Sequence, residues 1–377
     1  MDEVRSDTTR GRRARPLAMV VASLALVGLA CQPPSDPTPG GDGAGAVNEY
    51  GGFQRPWDVQ LTPDGVALVT ERGGTLAAVV QGQRRVLGPV PGVVAKAEGG
   101  LMGMAVDPGY STNRWIYTCQ TTSSDVRLVR HRVLPGYTGF TDSTPIVTGI
   151  ASGAGNRHQG CRPVFGPDGN IWMGTGDAAT GSNPQDPTSL AGKVLRFEPD
   201  GDPAPGNPGV VDPTSGWHPL VLTMGHRNIQ GLAFRPSDGA AFSVEHGTTC
   251  DDEINLLTAG ANYGWDPAGP GGTYDDTRPM TFEGGTPSAW SSGCPTLATS
   301  GAAFLGPLWG EHQGSLAVAT LKGRALHFFR IAGSKVVSSE RVLWGHGRLR
   351  SVTSAPDGTL WVTTDADDGA VLQVVPK

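Results

Sequence analysis

Side-chain chemistry in this 377-residue chain is most concentrated in Arg157-His158-Gln159-Gly160-Cys161-Arg162. An imidazole changes charge near neutral pH, so His158 is a candidate general base for a hydroxyl proton. Groups of matching kinds recur along the chain. They are Glu98 in AEGGLMGMA, Asp177 in TGDAATG, Arg227 and Asn228 in GHRNIQGLAF, and Gly247 after Glu245-His246. Asp251-Asp252-Glu253, Tyr263 in NYGW, Lys322 in ATLKG, and Arg348 with Arg350 in GHGRLRSV complete the set. Arginine forks match carboxylates, and hard oxygen donors suit a divalent cation. Four cations, one histidine and several carboxylates converging on one funnel would suit an anionic planar ligand with a divalent metal.

Each residue alone has a plainer reading. A loop histidine is commonly satisfied by a backbone carbonyl, and Asp177 could cap a strand end. Arg348 and Arg350, two apart, share one face of a strand and could simply meet water. Asp251 reads as part of a solvated acidic turn. Trp115, Trp172 and Trp361 sit in alternating strands, where core packing is the expected role.

The elements that must position these groups follow one frame, a tight turn and then two strands. Pro-Asp-Gly gives such a turn, because Pro presets φ, Asp bonds its own backbone and Gly takes φ > 0. The frame opens at Thr62-Pro-Asp-Gly with ALVTE and TLAAV, and loosely at Asp107-Pro-Gly-Tyr with WIYTCQT and VRLVRH. It returns at Gly166-Pro-Asp-Gly with IWMGTGD and KVLRF, and at Arg235-Pro-Ser-Asp-Gly with AAFSVEHG and EINLL. The last copies are near Gly306-Pro-Leu, with SLAVATLKG and ALHFFRI, and at Ala355-Pro-Asp-Gly, with TLWVTTD and AVLQVV. Such a unit buries only part of its surface alone, so neighbours must stack on it. An all-β six-bladed β-propeller of four-stranded antiparallel sheets, over residues 48–377, is the expected fold. The polar groups then gather at one loop face. The long insertions Ala178–Gly192, Glu198–Gly216 and Gly264–Pro295 read as functional loops.

Composition agrees and excludes other classes. Gly (56) and Pro (31) are abundant and charged residues sparse, favouring a turn-rich β protein over a helical one. A net charge of −6 argues against nucleic-acid binding. Arg10, Arg12, Arg13 and Arg15 precede the apolar run Leu17–Ala30, so residues 1–30 read as an export signal. Cys31 after Gly28-Leu29-Ala30 fits a lipoprotein cleavage site, with a plain secretory signal as the alternative. Residues 31–47 read as a flexible Pro/Gly-rich tether. Removing residues 1–30 takes away five Arg and three acids and leaves a net charge of −8. Export permits disulfides. Cys119, Cys161, Cys250 and Cys294 allow three pairings, and Cys119–Cys161 with Cys250–Cys294 is favoured because each would tie neighbouring repeats. No CxxC spacing suggests zinc.

GLMG, HQGCR…GPDG…GD, GHRNIQGLAF, EHG…DEIN…NYGW and GRLRSV, in that order over residues 50–375, resemble the glucose/sorbosone dehydrogenase family. Members of that family are soluble aldose dehydrogenases that carry pyrroloquinoline quinone on a six-bladed propeller. The resemblance implies oxidation of an aldose at its anomeric carbon to a lactone, with His158 as general base and Arg227 stabilising charge on the quinone. It implies that Arg227 and Asn228 bond the quinone oxygens, and that Lys322, Arg348 and Arg350 bind the cofactor carboxylates. Glu98, where one branch of the family has glutamine, and Tyr274 would lie beside the cofactor. Calcium would bridge to the cofactor from the carbonyls of Gly247 and Thr248, the latter replacing a usual proline. Glu253 with the carbonyl of Tyr263 would hold a second calcium. The chain has no CxxCH haem motif, so the electron acceptor would be a separate molecule. A binding-only propeller that lost the cofactor is the main alternative. A calcium-dependent propeller hydrolase is a third, and would need a ring of acidic ligands and no arginine cluster.

Overall fold

A computed structural model of the chain describes residues 45–269 and 272–377. The export signal, Cys31 and the tether as far as residue 44 lie outside the described residues. Six four-stranded antiparallel sheets follow one another along the chain. The first strands of the six sheets are Pro56–Leu61, Leu101–Val106, Gly160–Phe165, Ile229–Phe234, Thr299–Phe304 and Leu349–Ser354. Each packs against the first strand of the next sheet, and the sixth returns to the first. That closed circuit makes the six-bladed propeller expected from the repeats.

The frame read in the sequence supplies the second and third strands of each blade. Ala67–Glu71 with Thr75–Val80, and Lys193–Phe197 beside Ile171–Thr175, fall where the turn signals put them. Second strands such as Ala67–Glu71, Leu316–Thr320 and Leu360–Thr364 are buried on both faces. Outer strands such as Phe140–Ile150 and Lys335–Trp344 are mostly exposed. Apolar content therefore falls from axis to rim. The last blade lacks its own outer strand, and Val47–Phe53 pairs with Gly369–Val374 to supply it. Pairing with the C-terminal end already begins at Gly45, whose N–H donates to the Val375 carbonyl at 3.0 Å.

Two features of the first strands shape the site. A β-bulge interrupts the beginning of every one of them, between Pro56 and Asp58, Leu101 and Met104, Gly160 and Arg162, Ile229 and Gly231, Thr299 and Ala302, and Leu349 and Ser351. A bulge bends the strand and re-aims the side chains beside it. Close approach of the strands needs glycine. A Cβ on Gly103 would lie 2.4 Å from the Cys161 carbonyl oxygen, and one on Gly231 would lie 2.4 Å from that of Ser300.

The axis is sealed by charge and aromatics. Arg162, buried, pairs with buried Asp58 at 2.6 Å and stacks 4.4 Å from the Trp57 ring centroid. The Ser351 hydroxyl donates to Asp58 at 2.5 Å. Both favoured disulfides form. Cys119–Cys161 joins the second blade to the third, and Cys250–Cys294 pins the loop after the second strand of the fourth blade. Trp361 is buried, and Trp115 and Trp172 pack partly buried against the core.

Candidate active site

The chemistry-bearing residues stand where first strands begin or second strands end, all at one mouth of the ring. His158 precedes the bulge of the third blade and Asp177 follows that blade's second strand. His158 holds a left-handed backbone, φ 51°, unusual for a residue with a side chain. Two contacts fix it: its N–H donates to Glu98 Oε2 at 2.8 Å, and its carbonyl accepts from the Ala178 N–H at 3.2 Å. Such strained residues cluster at functional sites.

Hydrogen bonding sets the tautomer of His158. Nδ1 meets Asp177 Oδ1 at 2.8 Å, and Arg157 Nη2 lies 3.3 Å from Nε2. A guanidinium only donates, so Nε2 carries the lone pair and Nδ1 the proton. Asp177 also accepts from the Ala179 N–H at 2.7 Å, Trp265 Nε1 at 2.7 Å and the Tyr274 hydroxyl at 3.1 Å. Burial, then the charge of Asp177, pushes the Tyr274 hydroxyl well above the ordinary phenol range, so it stays a donor. His158 thus presents one oriented acceptor nitrogen, Nε2.

A cavity of about 160 Å³ brings His158 together with Glu98, Arg227, Gly247 and Thr248. Asp252 and Thr296 complete its wall, and Lys322 Nζ reaches the Thr296 hydroxyl at 3.3 Å. His246 also lines it. Burial, then the positive charges of Arg227 and Arg350, holds His246 well below its usual range and therefore neutral. Arg348 and Arg350 converge on Asp365 Oδ2 at 3.1 and 3.3 Å. Burial would raise the Asp365 carboxyl, but Arg350 and then Arg348 overcome it and leave it below the ordinary range. Arg350 Nη1 donates to Gln230 Oε1 at 3.3 Å, and Gln230 Nε2 donates to Asn228 Oδ1 at 3.1 Å. The separated cations of the sequence therefore meet at one mouth.

Several polar atoms here have no protein partner. Asn228 Nδ2, His246 Nε2 and Arg350 Nε are buried without one. Buried donors left open are costly, and Asn228 Nδ2 and Arg350 Nε are such donors. Among the described residues, neither the Gly247 nor the Thr248 carbonyl accepts a hydrogen bond. Burial and then the charge of Glu245 raise the Glu253 carboxyl to about 8. The Thr281 hydroxyl touches both Glu253 Oε1, at 3.4 Å, and the Tyr263 carbonyl, at 3.2 Å, so these two oxygens face one point. The donor set fits a poly-oxygen anionic ligand.

Sequence reasoning gave four contributors no role of their own. Asp276 Oδ1 accepts from Arg227 Nε and Nη2 at 3.0 and 2.9 Å, and Asp276 Oδ2 from Arg157 Nη2 at 3.0 Å. It lies in a long irregular loop, where no periodicity could flag it. Asp252 accepts from the N–H groups of Gly247 at 3.0 Å and Leu297 at 2.7 Å. Its acidic run stood among the candidate groups, with no separate role legible for Asp252. Asp365 ends a buried strand without a motif of its own, and Trp265 was visible in NYGW without a partner to give it a role. Tyr274, expected beside the cofactor, reaches the site through His158 and Asp177, with its ring against Trp265.

Comparison with known proteins identifies the family. The sequence model of the family described as Glucose / Sorbosone dehydrogenase matches residues 53–373. The chain is 31% identical over 345 residues to the aldose sugar dehydrogenase YliI of Escherichia coli K12, covering 86% of this chain and 91% of that one. The PQQ-bound aldose sugar dehydrogenase of Streptomyces coelicolor is 32% identical with a TM-score of 0.72, covering 89% of this chain and 100% of that one. The apo aldose sugar dehydrogenase of Escherichia coli superposes with a TM-score of 0.77 at 28% identity, over 88% of this chain and 100% of that one. On fold, motifs and matched length together, the chain belongs to the glucose/sorbosone dehydrogenase family.

Proposed function

We propose that this chain oxidises aldose sugars at the anomeric carbon to lactones with pyrroloquinoline quinone and calcium, and passes the electrons to a separate acceptor. The observation that carries the reading is the His158 tautomer: Nε2 is an acceptor, locked by Asp177, on the wall of a cavity that also holds Arg227. When bound, the quinone supplies a two-electron acceptor for the hydride that leaves C1. Arg227 and Asn228 would hold its quinone oxygens, and Lys322, Arg348 and Arg350 its carboxylates. Glu98 and Tyr274 would flank it. The carbonyls of Gly247 and Thr248 suit a calcium ion beside it, and Glu253 with the Tyr263 carbonyl a second.

The protein's part in the reaction is proton transfer and electrostatics. His158 Nε2 takes the C1 hydroxyl proton as the C1–O bond gains carbonyl character. Asp177 keeps Nδ1 protonated and stabilises the imidazolium that forms. Arg227 presents positive charge where negative charge develops, in a site low enough in dielectric for it to count. The paired cations are held by Asp365 and Asp276, so their directions are set before ligand arrives.

Reconstitution of cofactor-free protein with the quinone and calcium, followed by dye reduction with a panel of aldoses, tests the reading. Cofactor-dependent turnover is the expected result. Absence of both turnover and tight cofactor binding would leave a binding-only propeller. The N-terminal arginines and apolar run support an exported protein, with lipidation at Cys31 where the lipoprotein reading holds. Mass spectrometry of the membrane-extracted N-terminus checks both.

A further inference from the structure

The two disulfides differ in what can reach them and in what they hold. We propose that Cys250–Cys294 is a thiol-exchange site. A dithiol opens it, the loop that carries Gly247 and Thr248 to the cavity wall is released, and reoxidation seats that loop again. The inference takes one thing from the reading above, that the carbonyls of those two residues receive a calcium ion.

Access separates the pair. Cys119 and Cys161 are 0% exposed, inside the strands Trp115–Thr121 and Gly160–Phe165. Cys294 is exposed and Cys250 half-buried, and both stand in irregular chain. Cys250 lies between Ala241–Glu245 and Glu253–Leu256, and Cys294 between Trp290–Ser291 and Thr299–Phe304. Exchange needs a thiolate to reach a sulfur. A dithiol attacks the Cys294 sulfur, the sulfur–sulfur bond breaks, and Cys250 leaves as a thiolate that takes a proton. The second thiol of the dithiol then displaces Cys294 from the mixed disulfide. Two electrons and two protons have passed to the protein, and the dithiol leaves as its own cyclic disulfide.

The bond holds two walls of one cavity together. Residues 246–252 turn so sharply that a Cβ on Gly247 would lie 2.1 Å from the Cys250 carbonyl oxygen. Asp251 takes a left-handed backbone there, φ 63°. In the facing segment the Thr296 N–H donates to the Thr249 carbonyl at 3.3 Å, and the Leu297 carbonyl accepts from the N–H groups of Lys322 and Gly323 at 3.0 and 2.9 Å. The disulfide thus ties Gly247, Thr248 and Asp252 on one side to Thr296 and Lys322 on the other. Neither 246–252 nor 292–298 gives a side chain to the apolar clusters of the core, so the disulfide and polar contacts such as these join them. A segment held that way, near solvent, opens locally at low cost once its covalent tie is cut.

The test treats the cofactor-free chain with graded dithiothreitol, then alkylates it and maps the labels by mass spectrometry. Cys250 and Cys294 should be labelled at concentrations that leave Cys119 and Cys161 paired. In that state amides of 246–252 and 294–298 should lose hydrogen-exchange protection, while those of Trp115–Thr121 keep theirs, which global unfolding would not allow. Calorimetric affinity for calcium should fall about tenfold, as when a group supporting a metal ligand is lost, and return on reoxidation. Cys250→Ser with Cys294→Ser should bind calcium as weakly as the reduced protein and no longer respond to the dithiol. If that variant does not fold, the cycle of reduction and reoxidation on the native chain decides alone. Labelling of all four cysteines together, or an opened Cys250–Cys294 bond with loop protection and calcium affinity unchanged, overturns the inference. Calcium bound by neither form, while loop protection still falls on reduction, sinks the calcium reading and leaves the exchange site standing.

Discussion

The two mouths of the ring are built from the same six strands and could hardly differ more. Where first strands begin, the cavity holds about 160 Å³ and is walled by His158, Arg227, Glu98 and Asp252. Where those strands end, an opening of about 700 Å³ is lined by Leu61, Val106, Phe165, Phe234 and the turn prolines Pro63, Pro108, Pro236 and Pro356. The larger opening has Arg162 as its only ionisable neighbour besides Asp107, and Arg162 is already neutralised by Asp58. Volume does not mark the chemistry here. Four of the turns at the wide mouth (62–66, 166–170, 235–240 and 355–359) are tight reversals, and the other two carry a short helical turn at Tyr110–Asn113 and Pro307–His312. The loops at the narrow mouth are long and unlike because each delivers a different group.

Substitutions can break or sharpen that contrast. His158→Ala should bind cofactor normally, by absorbance titration, and lose up to about 10⁴ in kcat, the usual reach of a general base. Asp177→Asn puts an amide N–H or a weaker acceptor against Nδ1 and should cost about 10² to 10³ in kcat, with the pH–rate profile displaced. Trp265→Phe removes one donor from Asp177 while keeping the packing, and should cost about tenfold in kcat with KM little changed.

Lys193 gives a pH-dependent test. It is fully buried behind the site, its ammonium bonded to the carbonyls of Asn183, Pro184 and Ala191, and burial lowers it to about 7. Between about pH 7 and 10 the unfolded chain then holds one more proton than the folded one. This group therefore makes folding more favourable as pH rises through that window. Denaturant midpoints for Lys193→Met should lack that slope. Gln60→Ala at the wide mouth should leave kcat/KM within about twofold. A large loss there would erase the distinction between the mouths.

What the sequence revealed follows the same division. The strands Trp115–Thr121 and Lys193–Phe197 coincide with runs visible as alternating apolar residues after a turn. Local pattern specifies a buried strand, so the fold was legible. The groups delivered by ordered motifs, His158, Arg227 and Arg350, were found as candidates because their neighbours carried the resemblance. Asp276 was invisible because its partners Arg157 and Arg227 are 119 and 49 residues away. Nothing local encodes such a pairing. The bulges were equally hidden, since a single extra residue leaves no periodic trace. The closing strand Val47–Phe53 was hidden for another reason: its partner is at the far end of the chain, and its own exposed, glycine-containing run reads as a loop.

That closing strand has a consequence for how the polypeptide can be cut and rejoined. Because Val47–Phe53 and Gly369–Val374 are neighbours in one sheet, a short linker could join them and new ends could be opened in a surface turn such as the one at Asp357. A circular permutant of that kind keeps every blade and every group at the narrow mouth. Deleting the Val47–Phe53 segment instead leaves one sheet edge bare, and that edge should pair with other copies of the chain.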